Sequence, residues 1–174
     1  MKLKIRKVRR VKTPNYATDG SAGFDLYVPD GFKRTIIYPN NDLIISSGIQ
    51  VAIPQGYMLK IANRSSVSST VDAKKKAGMK VYDAPSALIV GADTIDSDFQ
   101  GEIKIHVINY SNNLAFVNPG DKICQAILIP VISCDIEETE DELFSEPTTR
   151  GRKEFGSSNA DTSSNTTIQE GHTT

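Results

Sequence analysis

Asp96 has the clearest claim to chemistry in this sequence. It follows Ile95 directly, just beyond the turn signal Gly91-Ala92-Asp93 and the short approach Thr94-Ile95. Turn-forming residues of this kind predict a hairpin. An acid mounted beside a rigid hairpin, with its carboxylate outward, suits a general base at the mouth of a small pocket. The competing reading is a surface acid that closes a turn, a common place for Asp. Arg64-Ser65-Ser66 offers a guanidinium, two hydroxyls and backbone amides at the end of a strand, a cradle for phosphate oxygens. Equally, it is a salt-bridging arginine beside solvated serines. Gly23-Phe24-Asp25 either reaches the water shell of a hard cation or closes an Asx-turn. Gln125 stands in an otherwise apolar run, so its amide needs a partner, either neighbouring backbone or a ligand. The segment from Arg150 to Ser158 has three cations, Phe155 and the paired Ser157 and Ser158. It can fold over a polyphosphate with Phe155 on a base, or be a basic tail. It lacks the GxxxxGK[ST] spacing of a nucleoside-triphosphatase P-loop. His106 reads as a half-exposed strand residue, and Lys74-Lys75-Lys76 as a solvated face.

The elements that position these groups read as strands. The 174 residues fit one domain, with 39% hydrophobic and 24% charged residues, the make-up of a soluble globular protein. A net charge of -1 gives no global attraction to nucleic acid or anionic membrane, so phosphate recognition has to be local. No apolar run is long enough to span a bilayer, and the basic, alternating start lacks the apolar centre of a signal peptide. Cys124 and Cys134 lack CxxC spacing and read as reduced thiols of a cytoplasmic protein. Two histidines are too few for a His-based zinc site. Lys2 to Val11 reads as a charge-protected edge strand. Leu43 to Ser46, Gly48 to Ile53 and Tyr57 to Ile61 follow, separated by Ser47-Gly48 and Pro54-Gln55-Gly56. Ser68 to Ala77 has room for a helical turn or two, and Met79 to Tyr82 for a strand. Glu102 to Tyr110 alternates, with Ile103, Ile105 and Val107 on one face. Lys122 to Ser133 is apolar on both faces and is expected to be the most buried strand. Many short strands, Gly/Pro turns and no long helix predict an all-β barrel or sandwich. The expected organisation is a single barrel domain over 1–146, an arm over 147–158 and a Ser/Thr/Asn-rich disordered tail over 159–174.

Five ordered blocks then resemble the trimeric, all-β dUTP pyrophosphatase (dUTPase) family. Ala22 to Tyr27 is similar to AGxDL, and Arg64-Ser65-Ser66 follows a family-like Gly48 to Tyr57. Gly91 to Gly101 is similar to GxGxIDxDYxG, Gly120 to Gln125 to GDRIAQ, and Arg150 to Ser158 to RGxGGFGST. The resemblance implies a distorted jelly-roll barrel with a flexible C-terminal arm, and hydrolysis of dUTP to dUMP and pyrophosphate. That activity limits uracil in DNA and supplies dUMP. It implies Asp96 as the base for the attacking water, and Mg²⁺ on the triphosphate with Asp25 reaching it through water. Arg64, Ser65, Ser66, Gln125, Arg150, Ser157 and Ser158 would hold phosphates. Val90, Gly91, Thr94, Ile95, Phe99 and Phe155 would hold uracil and deoxyribose. Partners implied are dUTP and two further copies of the chain, with sites at subunit interfaces, no membrane and no nucleic acid, in the cytoplasm (a host's, if virally encoded). Departures from the pattern are Phe99 for Tyr, Asp93 for Gly, and Lys153-Glu154 for a Gly pair. Asp93 is expected to accept a left-handed backbone there. An excess length over Thr70 to Ser86 reads as a surface excursion or a partner-binding loop. Two rivals remain open, a regulatory protein that kept the fold and the sister dCTP deaminase. For the deaminase, an acid is expected where His106 stands.

Overall fold

The computed structural model describes residues 1–70, 85–149 and 151. The Asp72 to Ala77 turn, the Met79 to Tyr82 strand and most of the excess segment lie outside those residues, as do Arg150, Phe155, Ser157 and Ser158. Two compact units are present, Met1–Ser133 and Cys134–Thr174. The second carries no strand or helix among its described residues.

The described residues of the first unit form twelve strands: β1 (Lys4–Lys7), β2 (Asn15–Tyr16), β3 (Phe24–Tyr27), β4 (Thr35–Ile37), β5 (Asp42–Ser46), β6 (Ile49–Ala52), β7 (Tyr57–Asn63), β8 (Leu88–Val90), β9 (Thr94–Ile95), β10 (Lys104–Asn109), β11 (Ala115–Val117) and β12 (Lys122–Pro130). A single helical turn, α1 (Ser65–Ser68), follows β7. This turn is not among the expected elements, and Arg64 before it is in extended conformation. No helix among the described residues is long and apolar enough to cross a membrane.

All pairings among the described residues are antiparallel. The largest sheet runs β2-β3-β12-β7-β9, beside a three-stranded β5-β10-β8 and the pairs β1-β6 and β11-β4. Inward residues of several sheets meet in one core that includes Leu26, Ile45, Leu59, Ile61, Ile105 and Ala126. Ile103, Ile105 and Val107 are buried as their alternation predicts. Buried Asn109 spends its whole amide, donating to the Ile37 and Asn113 carbonyls and accepting from the Ser111 N–H and hydroxyl, which fixes the chain reversal after β10.

Three expectations change. β3, not β12, is the strand buried along its whole length. β12 is central in its sheet, yet several of its residues are only half-buried and Ile132 beyond it is exposed. Nor is Gly91-Ala92-Asp93 the tip of a paired hairpin. β8 pairs with β10 while β9 pairs with β7, so the turn bridges two sheets. Finally, Asp93 has no left-handed backbone. Asn40 and Ala87 are the non-glycine residues that adopt one among those described. Glycine is thus not required at Asp93, and the family departure there carries no backbone strain.

Candidate active site

β3, β7 and β12 bring the sequence-distant polar residues together. Asp25 lies opposite Gln125 across β3 and β12, and Gln125 lies opposite Ala62 across β12 and β7. Arg64 continues from β7, so its side chain returns to the same row. Close packing of this row depends on Gly23. A Cβ there would sit 2.9 Å from the Ala126 carbonyl oxygen and 3.2 Å from Gln125 Oε1.

Asp25 is only 5% exposed. Its Oδ1 meets Arg64 Nε at 3.0 Å, and its Oδ2 meets Lys122 Nζ at 2.7 Å. The Lys122 ammonium is the one partner that Oδ2 has among the described residues. Its hydrogen bond to this carboxylate raises Lys122 above its ordinary value. Arg64 Nη1 also donates to the Lys122 carbonyl at 3.3 Å. Two cations therefore converge on one carboxylate, with Ser65 and Ser66 next in the chain after Arg64. Beneath them, burial pushes the Cys124 thiol up to about 12, so it is a packing residue and no nucleophile.

Asn63 connects this cluster to the turn region. Its carbonyl accepts from Gln125 Nε2 at 3.1 Å, and its side-chain Oδ1 accepts the Val90 N–H at 2.7 Å. One N–H of the Gln125 amide is thus spent as a backbone latch, one of the two roles its sequence left open. The Ile61 N–H donates to the Asp93 carbonyl at 2.6 Å, and Lys60 Nζ donates to Asp93 Oδ2 at 2.7 Å. With Thr94 Oγ1 donating as well, Lys60 holds the Asp93 carboxyl below its ordinary value. Ile95 is half-buried against the core, which leaves the next residue, Asp96, pointing to solvent. The Asp96 carbonyl accepts the Phe99 N–H at 3.2 Å, closing a turn. No side chain among the described residues engages the Asp96 carboxylate. Phe99 is 43% exposed on a recess with Ile5, Val51 and Ser97.

Within the described residues, then, Asp25, Arg64, Gln125 and Val90 form one connected constellation. Asp96 and Phe99 stand exposed on the adjoining loop. Sequence reasoning missed Asn63 and Lys122 as site residues. Their adjacency to Arg64 and to the Gly120-Asp121 turn was visible. Their shared partners, two strands away, were not.

The fold is an all-antiparallel β scaffold among the described residues, with two cations, Arg64 and Lys122, gathered at one buried carboxylate. The dUTPase family model matches residues 9–75 and 77–159. The chain belongs to the dUTPase family. Relatives called deoxyuridine 5'-triphosphate nucleotidohydrolase include one from Nautilia profundicola, 35% identical over 158 residues, covering 90% of this chain and 98% of the relative. One from Orientia tsutsugamushi (strain Ikeda) is 35% identical over 164 residues, covering 91% and 98%. Among solved structures, the Staphylococcus bacteriophage 80alpha dUTPase with dUPNHPP superposes with a TM-score of 0.70 at 19% identity, covering 90% of this chain and 97% of that one. The phage phi11 dUTPase of S. aureus, studied for its coordination of a structural Mg(II) ion, gives 0.65 at 19% identity, covering 83% and 100%. At these identities the structural likeness speaks for the fold, a jelly-roll-type β architecture.

The residues present fit a hard cation in one limited way. No group of three His, Cys, Asp or Glu side chains converges among the described residues, so these residues offer no complete cage. They offer one buried carboxylate, Asp25, at the cationic cluster. That donor set suits a Mg²⁺ held chiefly by substrate oxygens and water.

Proposed function

We infer that the chain carries out its family's reaction, hydrolysis of dUTP to dUMP and pyrophosphate, with Asp96 as the general base. The observation that carries this reading is the exposed Asp96 carboxylate, which no described side chain engages, on the stretch that follows Val90, itself tied through Asn63 to Gln125. Asp96 takes the proton of a water as its oxygen bonds to the α-phosphorus. The bond from that phosphorus to the bridging α–β oxygen breaks, and pyrophosphate leaves. Arg64, with Ser65, Ser66 and Gln125, holds phosphate oxygens and offsets the charge growing on the leaving group. Bound Mg²⁺ would neutralise and orient the triphosphate, with Asp25 holding it through water.

Val90, Gly91, Thr94 and Ile95 supply the base slot, where exposed backbone groups can pair with uracil and a narrow wall excludes thymine's methyl. Phe99 lies against the deoxyribose and leaves no room for a 2′-hydroxyl. Residues 147–158 act as an arm that closes a neighbouring subunit's site in a homotrimer, with Phe155 on the base and Arg150, Ser157 and Ser158 near phosphates. The barrel would end near 146 and a tail would follow from 159. The cytoplasm is the compartment where such an enzyme would keep dUTP out of DNA synthesis.

The test is pyrophosphate release from dUTP with Mg²⁺, beside dCTP, dTTP and UTP. Rapid turnover of dUTP alone is expected. Equal turnover of dTTP or UTP would overturn the base and sugar assignments, and ammonia release from dCTP would overturn the reaction itself.

A further inference from the structure

Gly91 is packed against an imidazole. A Cβ built on it would lie 2.5 Å from His106 Nδ1 and 2.8 Å from its Cε1, with Ile108 Cδ1 at 3.0 Å. The Gly91 N–H also donates to the His106 carbonyl at 2.9 Å. His106 lies on the outward face of β10, its side chain 27% exposed, and is held from the far side by Asp42 on β5. Its Nε2 meets Asp42 Oδ2 at 2.8 Å. Two sheet rows separate these residues in register, since His106 faces Ile44 and Asp42 faces Ile108. The contact is therefore a diagonal across neighbouring strands, within reach of a ring but not of a small side chain. The Nε2–Asp42 contact sets the ring's orientation and turns its Nδ1–Cε1 edge toward Gly91. The phosphate cradle does not touch this pair.

We propose that His106, oriented by Asp42, is a positioning residue that sets the back wall of the base slot through Gly91. This rests on the reading that the Gly91 turn receives uracil, and it names a residue pair that governs how tightly the slot fits. The ring is planar and stiff, held at Nε2 by Asp42 and abutting Gly91 with its other edge. Gly91 consequently has one seating depth, and the turn, which bridges two sheets and is not a paired hairpin, gains from β10 and β5 the support it lacks from a hairpin partner. Removing the ring lets the turn sink, widening the slot on the side away from the phosphates. Its effect belongs in substrate fit and not in the chemical step.

Steady-state kinetics of full-length His106→Ala, Asp42→Ala, Asp42→Asn, Gly91→Ala and the Gly91→Ala/His106→Ala double variant provide the test, with dUTP and dTTP. For His106→Ala we expect KM for dUTP to rise about tenfold, kcat to hold, and preference over dTTP to fall by a similar factor, the scale of one methyl group's discrimination. Asp42→Ala should follow in the same direction. Asp42→Asn should stay near wild type, because its amide oxygen still accepts from Nε2. Gly91→Ala should be impaired more than His106→Ala, and the double variant should be no worse than His106→Ala alone, because the clash is gone. Multiplicative effects in the double variant, or an unchanged KM and dTTP preference in His106→Ala, would overturn the proposal. Should the wild type fail to turn over dUTP, the slot reading falls and this inference falls with it. A variant that turns over dUTP with normal kcat is folded, so misfolding cannot mimic the expected pattern.

Discussion

Two carboxylates in this protein are each gripped by two cations, and they are built for opposite ends. Glu102, its side chain 13% exposed, is fully spent. Its Oε1 accepts from Arg9 Nε at 2.7 Å and from the Gly48 N–H at 2.8 Å, and its Oε2 from Arg9 Nη2 and Lys104 Nζ, both at 3.2 Å. The Arg9 hydrogen bond, helped by Gly48 and Lys104 against the opposing effect of burial, brings it from 4.5 down to about 2. Asp25 is more deeply buried, and each of its oxygens meets one cation alone, Oδ1 the Arg64 guanidinium and Oδ2 the Lys122 ammonium. The first carboxylate staples β10 to the Gly48 joint. The second draws Arg64, just past β7, and Lys122 of β12 onto β3. Four hydrogen bonds close the first carboxylate, whereas the second is held by a single cation on each oxygen.

The strongest way to sharpen that contrast removes the exposed Asp96, whose carboxylate no described side chain engages. Asp96→Asn should lower kcat by about 10² to 10⁴, the range for loss of a general base, while dUTP binding persists in calorimetry. Asp25→Ala comes next. It strands two cations at a half-buried site, so urea unfolding should show a loss of about 3 to 5 kcal/mol together with lost turnover. Cys124, packed beneath Asp25, reports on the same change. In the native protein the exposed Cys134 should react with a thiol reagent and buried Cys124 should not, whereas Asp25→Ala should open Cys124 as well. Reaction of Cys124 at equal rate in Glu102→Gln would break the distinction between the two clusters.

Glu102 should show itself through acid stability with little effect on kcat. Its folded value is depressed, so its contribution is present above 4.5 and is lost as the pH falls toward about 2. Denaturant midpoints for the wild type should decline across that window, and Glu102→Gln should flatten the decline. The smallest effect is expected at Lys60→Met, an exposed partner. There, NMR titration should show the Asp93 carboxyl moving up toward its ordinary value, with dUTP turnover changing by less than about threefold.

The order of motifs, the alternation from Ile103 to Val107 and the turn at Pro54-Gln55-Gly56 are local patterns. Local backbone geometry and side-chain period are enough to read strands and turns from them. Family membership and the candidate residues Asp25, Arg64, Asp96 and Gln125 followed from the same strings. The hairpin at Gly91 misled because turn residues report a change of direction and carry no information about which strand pairs next. Asp93 misled in a similar way, since a Gly in a family pattern suggested a left-handed backbone that this turn does not use.

What only the tertiary structure decided is who meets whom across sheets. Cross-strand register placed Asp25 opposite Gln125, let Asn63 bridge Gln125 and Val90, and seated Gly91 on a histidine that reads in sequence as an ordinary strand residue. Sequence fixes which groups are available and which face of a strand they occupy. Partners far apart in the chain are chosen by sheet order and by the requirement that buried polar atoms be satisfied, and both exist only once the core has closed.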